Sequence, residues 1–504
     1  MNQKRTGFGT RIGFELAAAG SAVGLGNLWG FPYKASANGG AAYFFVYLAC
    51  IFLVGAMAML AEFYIGRRSK ANPVSAYKAI SPGWGWVGLL AVVIPALIMC
   101  YYLVLGGCTV KYALGSFDPS ESFLKFTGNI GDMVLHTVVF ALLALAIVTA
   151  GVHRGIEKAS KLLLPTMLVI LIVISSFSLL LGTGVREGLA FYLKPDFSKL
   201  TGAGILSAMG QAFFSLSLGC GAMITYGSYS GKTVDLARST AVVCLLDGLL
   251  TFMVGLVIFP ALFHYATTTG SSLSELGMGG IGLMFITLPM VFADLGVGGQ
   301  ILSLLFFAMA CAAALTSIIS ILEVVTQFII QRFKTARSRA VTWVTVCCVA
   351  VSVPVGISLG MSLNGAAGLN VFGKNLLELL DTVTNTLLMP ICALLACLAV
   401  GWMLPKDERF TGFTGTMLRV ATPILIVVIE LFGALDLVFP GKVFSADGFG
   451  ILMIAVGIIV VCAAVYFLWL KNRDTGSNAD EHEANAQRSA ALKAGLKRGW
   501  TRPE

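Results

Sequence analysis

The chain has 504 residues, of which 57% are hydrophobic and 12% charged, with a mean hydropathy of +0.87 and a formal net charge of +9. So apolar a composition excludes an ordinary soluble globular protein and predicts a polytopic membrane protein. The positive balance needs no nucleic-acid partner, because Lys and Arg gather on one side of the predicted spans.

Windows of roughly 20 apolar residues, the length that crosses a bilayer as a helix, predict twelve spans: 12–35, 41–66, 85–113, 134–151, 162–182, 203–228, 239–265, 301–331, 341–361, 375–403, 418–438 and 447–470. The segments on one side hold Lys4, Arg5 and Arg11; Arg67, Arg68 and Lys70; Arg154, Lys158 and Lys161; Lys232 and Arg238; Arg332, Lys334, Arg337 and Arg339; Lys406 and Arg409; Lys471 and Arg473. Short basic loops resist translocation, so both termini are predicted to be cytoplasmic. Residues 1–11 are polar and no cleavage site follows them, so no cleavable signal is expected.

Two of the spans are interrupted. The first contains Gly20-Ser-Ala-Val-Gly-Leu-Gly-Asn27, and the sixth contains Ser215-Leu-Ser-Leu-Gly-Cys-Gly221. A membrane helix broken at depth is tolerated only where the freed backbone groups are buried in protein or line a cavity. Gly20 and Gly24 also have the spacing that lets two membrane helices pack closely. The recurrence of small polar residues five spans later favours a solute site near the membrane midplane instead. A partly unwound first helix exposes carbonyls of Gly20, Ala22 and Val23, while Asn27, Ser215, Thr316 and Ser317 add neutral oxygens, a hard donor set suited to an alkali cation. Asp247, in the seventh span, is an intramembrane acid and therefore a functional candidate.

The stretch from Thr267 to Gln300 is rich in Gly and Ser but holds the apolar run Ile281 to Phe292, which predicts short helices capping the external face. Its Gly277-Met-Gly-Gly-Ile-Gly282 matches a dinucleotide fingerprint, but no strand precedes it, so it is a loop glycine cluster. The tail from Asn472 is polar, acidic and then basic, and is expected to be disordered or a loose surface helix. Eleven cysteines, mostly inside spans and without CxxC spacing, are expected to be packing residues. Four scattered histidines and the absence of HExxH or GxSxG leave no catalytic constellation, so no enzyme is expected.

The run Gly20-Ser-Ala-Val-Gly-Leu-Gly-Asn-Leu-Trp-Gly-Phe-Pro32, followed by Asn38-Gly-Gly40, resembles the first-helix signature of the neurotransmitter:sodium symporters, specifically their bacterial amino-acid transporters. Gly210-Gln-Ala-Phe-Phe-Ser-Leu-Ser-Leu-Gly219, Ile224-Thr-Tyr-Gly-Ser-Tyr229 and Ala313-Ala-Leu-Thr-Ser317 extend the resemblance over almost the whole chain. It implies an all-α membrane protein with twelve transmembrane helices. A cytoplasmic N-terminus (1–11) would precede two inverted repeats of five helices, 12–182 and 203–403, with helices 1 and 6 broken. Two additional helices (418–470) and a cytoplasmic tail (472–504) would follow.

The resemblance also implies roles. A first sodium site would use Ala22, Asn27, Ser215 and a side chain of helix 7, where Asp247 stands; a second would use Gly20, Val23, Ala313, Thr316 and Ser317. Substrate would be held by Ser21, Ala22, Leu25, Gly26, Ile98, Tyr102, Phe214, Ser215, Ser217, Cys220, Ser317 and Ile321. Its carboxylate would meet the half-helix amides near Leu25 and Gly26, the hydroxyl of Tyr102 and the first sodium, and its ammonium the carbonyls around Ala22, Phe214 and Ser217. Monoamine carriers of the family place an acid where Gly24 leaves the space open, which implies an amino acid rather than an amine. The lining of Ile98, Phe214, Cys220 and Ile321 carries no charge and implies a neutral, hydrophobic or aromatic side chain. A fixed carboxylate at Asp247 implies independence of chloride, and Glu62 is expected to hydrogen-bond the broken sixth helix rather than touch substrate.

At its gates the chain departs from the family pattern. Gly30 replaces an external arginine and leaves Asp381 without that partner, while Gln211 is retained; on the cytoplasmic side Arg5 is present, but Phe8 stands for a tryptophan and Gln331 for an acid. The expectation is a symporter of the cytoplasmic membrane driven by Na+, two ions per cycle, carrying a neutral amino acid and needing no obligate protein partner. The rival readings are a proton-driven carrier, indifferent to sodium, and a non-transporting amino-acid sensor, which would bind without uptake.

Overall fold

Local signals start and stop the helices where elementary chemistry puts them. The computed structural model describes residues 7–115, 122–270, 280–365, 369–371 and 374–438, and within these the chain is almost all helical. The Thr10 side chain accepts from the Gly13 amide and starts α1 (Arg11–Ala22). Beyond a break and a π-helical turn, Gly26–Gly30, follows α2 (Phe31–Ala37). The second span is α3 (Ala41–Cys50), a π turn and α4 (Ala56–Ser69), which ends at Lys70 in the left-handed region. Asn72 caps α5 (Pro73–Ile80), whose first residue is the proline that suits that position. Next come α6 (Gly85–Ala113), α7 (Ser122–Gly128), α8 (Ile130–Thr149), α9 (Lys158–Ser178) and α10 (Val185–Leu193).

The second half repeats the arrangement of a broken helix followed by long ones. Helix α11 (Gly202–Ser215) is separated by a non-helical stretch from α12 (Ala222–Tyr229). Then come α13 (Leu236–Thr269), α14 (Gly280–Gly282), α15 (Leu288–Asp294), α16 (Gly296–Phe333) and α17 (Arg337–Leu363). A single two-residue antiparallel ladder among the described residues, Asn370–Val371 with Lys374–Asn375, precedes α18 (Leu376–Asp381). A π turn, Thr382–Leu388, leads into α19 (Met389–Leu398), and α20 (Gly412–Thr416) and α21 (Thr422–Val438) complete the described chain.

Eight of the described helical segments are long and apolar enough to cross a membrane. The predicted first and sixth spans are not among them because both are split, as their glycines foretold. The fifth begins earlier than predicted, at Val152, because a π turn carrying His153, Arg154 and Glu157 continues into α9. The predicted 418–438 falls within α20, a π turn and α21. The predicted span 447–470, the tail, Arg5 and residues 277–279 lie outside the described residues.

Burial separates inner helices from outer ones. The apolar windows of α6 and α16 are each 72% buried, against 28% for α8 and 33% for the segment that holds α9. Leu135, Leu142, Leu162, Val169 and Ile172 on the two outer helices are exposed, the expected state for side chains facing lipid. Inside, small residues let backbones touch: a Cβ on Gly66 would strike the Ile224 carbonyl, and one on Gly227 would strike the Phe63 carbonyl, which seats α12 on α4. The run Ile281 to Phe292 folds as the expected short helices, with Leu283, Phe285, Leu288 and Phe292 buried and Tyr112 donating to the Phe285 carbonyl at 2.9 Å. The ten cysteines among the described residues are free thiols, and most are buried.

Candidate functional site

Helix α1 stops at Ala22 because the following backbone, Val23, adopts an extended conformation. The freed donors are taken by side chains: the Gly24 amide donates to Asn27 Oδ1 at 3.1 Å and the Leu25 amide to the Tyr102 hydroxyl at 3.2 Å. In the second break Ser217, Gly219 and Gly221 all have positive φ, with values of 52°, 77° and 70°. The Gly219 amide donates to Glu62 Oε1 at 2.6 Å. Glu62 thus supports the second break from α4, as expected, and is absent from the cavity lining.

The two breaks meet at Asp247. Its Oδ1 accepts from Ser215 Oγ at 2.5 Å and from Asn27 Nδ2 at 3.0 Å, and its Oδ2 from the Tyr47 hydroxyl at 2.7 Å. The Asn27 amide also donates to Ser215 Oγ at 2.7 Å and Thr251 Oγ1 at 2.8 Å. Asp247 and Asn27 are both 0% exposed. Each of these hydrogen-bond partners of the carboxylate is neutral, and a buried anion with neutral partners alone is costly unless a cation or proton joins it. The chemistry fits a hard cation: one carboxylate and the hydroxyls of Ser215, Thr251 and Tyr47 gather around Asn27, with no sulfur or imidazole among them.

A second group of oxygens lies where α1 faces α16. Ser317 Oγ donates to the carbonyls of Ser21 at 3.3 Å and Gly20 at 3.5 Å, and Thr316 Oγ1 donates to the Ala313 carbonyl at 2.9 Å. A Cβ on Gly20 would lie 3.1 Å from that of Thr316. Gly20, Val23, Ala313, Thr316 and Ser317 are all buried. Ser21 joins them through Ser320 Oγ at 2.7 Å, and its carbonyl accepts from Ser217 Oγ at 2.7 Å, which ties the two breaks together again.

Between these groups lies a cavity lined by Ser21, Ala22, Gly24, Gly26, Asn27 and Tyr102, by Phe214, Ser215, Ser217 and Cys220, and by Ile98, Ser317, Ile321 and Met389. Eleven of the twelve substrate residues named from the sequence line it; Leu25 contributes its amide to Tyr102 instead. The space beside Gly24 is not open, contrary to expectation. A Cβ there would lie 2.5 Å from Ser317 Oγ and 3.0 Å from the Tyr102 hydroxyl, because α16 and α6 close over it.

On the side of α2, Gln211 joins the parts. Its Nε2 donates to the Gly26 carbonyl at 3.0 Å and its Oε1 accepts from Lys34 Nζ at 2.8 Å. Gly30 leaves room for this contact, since a Cβ there would sit 3.2 Å from Gln211 Oε1. Asp381 accepts from Asn385 Nδ2 at 2.6 Å and lies within electrostatic reach of Lys34 and Lys374. At the other end Phe8 packs edge-on against Phe14, Tyr226 and Tyr229, and its amide donates to the Tyr229 carbonyl at 3.2 Å. Gln331 accepts from the Asn72 amide at 3.0 Å.

Sequence reasoning missed Tyr47, Thr251, Met389 and Glu323. Glu323 is fully buried, paired with Arg337 at 2.5 Å and bonded by the Tyr229 hydroxyl at 2.6 Å. An acid six residues beyond Ser317 in an apolar helix is a signal that could have been read. Thr251 lies one turn beyond Asp247 and could have been found the same way. Nothing local marks Tyr47 or Met389.

A family model described as the sodium:neurotransmitter symporter family matches residues 5–127 and 120–472. The uncharacterized sodium-dependent transporter YhdH of Bacillus subtilis is 33% identical over 469 residues, covering 86% of this chain and 99% of that protein. An uncharacterized sodium-dependent transporter of Methanocaldococcus jannaschii is 32% identical over 426 residues, covering 80% and 83%. Among solved structures, that of MhsT in complex with L-phenylalanine superposes with a TM-score of 0.76 at 35% identity, covering 85% of this chain and 99% of that one.

Proposed function

The chain belongs to the sodium:neurotransmitter symporter family and is a multi-pass, sodium-dependent symporter, not an enzyme; from that premise we propose that it couples inward sodium movement to uptake of a neutral, apolar or aromatic amino acid by alternating access. The observation that carries this reading is the buried Asp247 carboxylate, whose partners Ser215, Asn27 and Tyr47 are all neutral. A sodium ion held by Asp247, Asn27, Ser215 and the Ala22 carbonyl, with Thr251 beside them, would supply the missing charge. A second would use Gly20, Val23, Ala313, Thr316 and Ser317. Two ions entering down 100 mV and a tenfold gradient would release roughly 7 kcal/mol, enough to concentrate a zwitterion about 10⁵-fold if coupling were tight.

The backbone amides near Leu25 and Gly26 and the Tyr102 hydroxyl suit a carboxylate, and carbonyls around Ala22, Phe214 and Ser217 suit an ammonium. No acidic side chain lines the cavity, which favours a zwitterion over an amine. Ile98, Phe214, Cys220 and Ile321 offer the side chain an apolar wall. The similar structure's L-phenylalanine agrees with that wall. Arg5, Gln211 and Asp381 are assigned to the gates, and both termini to the cytoplasm. Because Asp247 already supplies an anion, chloride is not required. The same buried carboxylate favours a second reading, proton uptake by Asp247 on return of the empty carrier.

The test is a thermal-shift screen of the purified protein against the twenty amino acids in sodium, potassium and sodium gluconate. Binding to the folded state raises its apparent stability by mass action. Shifts by a few neutral apolar amino acids in both sodium salts and none in potassium are expected. Sodium-independent shifts would overturn the coupling in favour of the proton-driven carrier, loss in gluconate would overturn chloride independence, and binding without uptake into vesicles would mark a sensor.

A further inference from the structure

Met389 enters the cavity from α19, a helix that otherwise has no part in the assigned site. It follows directly on the π turn Thr382–Leu388. A π turn holds an extra residue, which rotates the side chains beyond it by roughly 100° relative to an unbroken α-helix. At its middle this turn is anchored to α6, where Asn385 Nδ2 donates to the Tyr101 hydroxyl at 3.2 Å. At its far end Met389 is 1% exposed and shares the cavity wall with Cys220.

Its position is set by the second break. Gly219 has φ of +77°, and a Cβ on it would overlap the Met389 carbonyl, so the two backbones are in direct contact. Glu62 holds the Gly219 amide. The backbone at 389 is therefore fixed, while the side chain is an unbranched thioether with three rotatable bonds. Ile98 and Ile321, β-branched members of the same wall, are stiffer.

We propose that Met389 sets the size limit of the substrate side-chain subsite, swinging aside for an aromatic ring and closing on a branched aliphatic chain, so that one cavity serves both classes of neutral amino acid. The inference rests on the amino-acid reading of the cavity given above. Removing the thioether enlarges the subsite, and replacing it with a ring fills it, while the backbone contact with Gly219 stays in both cases.

Met389→Ala, Met389→Phe and Met389→Leu are compared with the unsubstituted protein by sodium-dependent competition binding of valine, leucine, phenylalanine and tryptophan. A missing or added methylene in an apolar pocket changes discrimination by about 10-fold or more. Met389→Ala is expected to raise the preference for tryptophan over valine about 10-fold, Met389→Phe to reverse it by a similar factor, and Met389→Leu to keep the original order. A merely structural role would lower all four affinities together without changing their ratios. Unchanged ratios in Met389→Phe and Met389→Ala, with sodium-dependent binding intact, overturn the proposal; should the alanine variant not fold, the phenylalanine and leucine pair decides. Failure of the unsubstituted protein to bind any of the four in sodium would instead overturn the amino-acid reading on which this one stands.

Discussion

The break after Ala22 spans two residues, Val23 and Gly24, with no positive φ, whereas the break after Ser215 runs from Leu216 to Gly221 and holds positive φ at Ser217, Gly219 and Gly221. Their backbone groups are satisfied differently. In the first, the Gly24 and Leu25 amides rest on an amide oxygen and a hydroxyl, neutral partners that a ligand carboxylate can displace. In the second, Glu62 grips the Gly219 amide and left-handed residues fix the path of the chain. On the proposed reading, the first break would exchange partners with a ligand, while the second holds the shape of the cavity. The difference teaches that an unwound membrane helix can be a recognition surface or a rigid corner, and that residue chemistry tells which.

The largest expected effect separates the two directly. Gly219→Ala places a Cβ in the left-handed region and against the Met389 carbonyl, and should destabilise the protein by about 3 kcal/mol, seen as a lower thermal midpoint. Gly24→Ala meets only the Ser317 and Tyr102 side chains, so its midpoint should change little while sodium-dependent amino-acid binding falls by about tenfold or more. Equal losses of stability in the two variants would break the comparison.

A smaller effect sharpens it. Tyr102→Phe removes the acceptor of the Leu25 amide and, on the proposed reading, a partner of the substrate carboxylate, a loss of about 1 kcal/mol, or roughly fivefold, expected in substrate affinity as well as in the midpoint of the ligand-free protein. A change confined to the ligand-free midpoint would mean that the Tyr102 hydroxyl serves only the fold.

The smallest effect lies outside both breaks and sets the background for them. Arg68 pairs with Glu408 at 2.5 Å, and its hydrogen bond holds the Glu408 carboxyl below the usual carboxylate range. The stabilisation from this depressed value is fully present above the ordinary carboxylate range and is lost as pH falls through the depressed value. Arg68→Ala should cost under about 1 kcal/mol near neutral pH and flatten this part of the acid dependence of thermal stability. A larger loss would show that the pair does more than join two surface segments.

Much of this molecule was legible from its residues alone. Composition and the spacing of apolar runs determined a multi-pass helical membrane protein, and Gly20 to Asn27 and Ser215 to Gly221 marked both breaks, because backbone permissiveness and side-chain oxygens are local properties. Eleven of the twelve substrate residues named from family motifs line one cavity. Only the tertiary structure decided how the marked residues are completed. Tyr47 reaches Asp247 from α3 and Asn27 from the π turn beyond the first break, Ser317 closes the space beside Gly24, and a π turn aims Met389 at the cavity. Those outcomes depend on how helices distant in sequence pack against one another, and no local pattern records which of two faces a rotated helix presents.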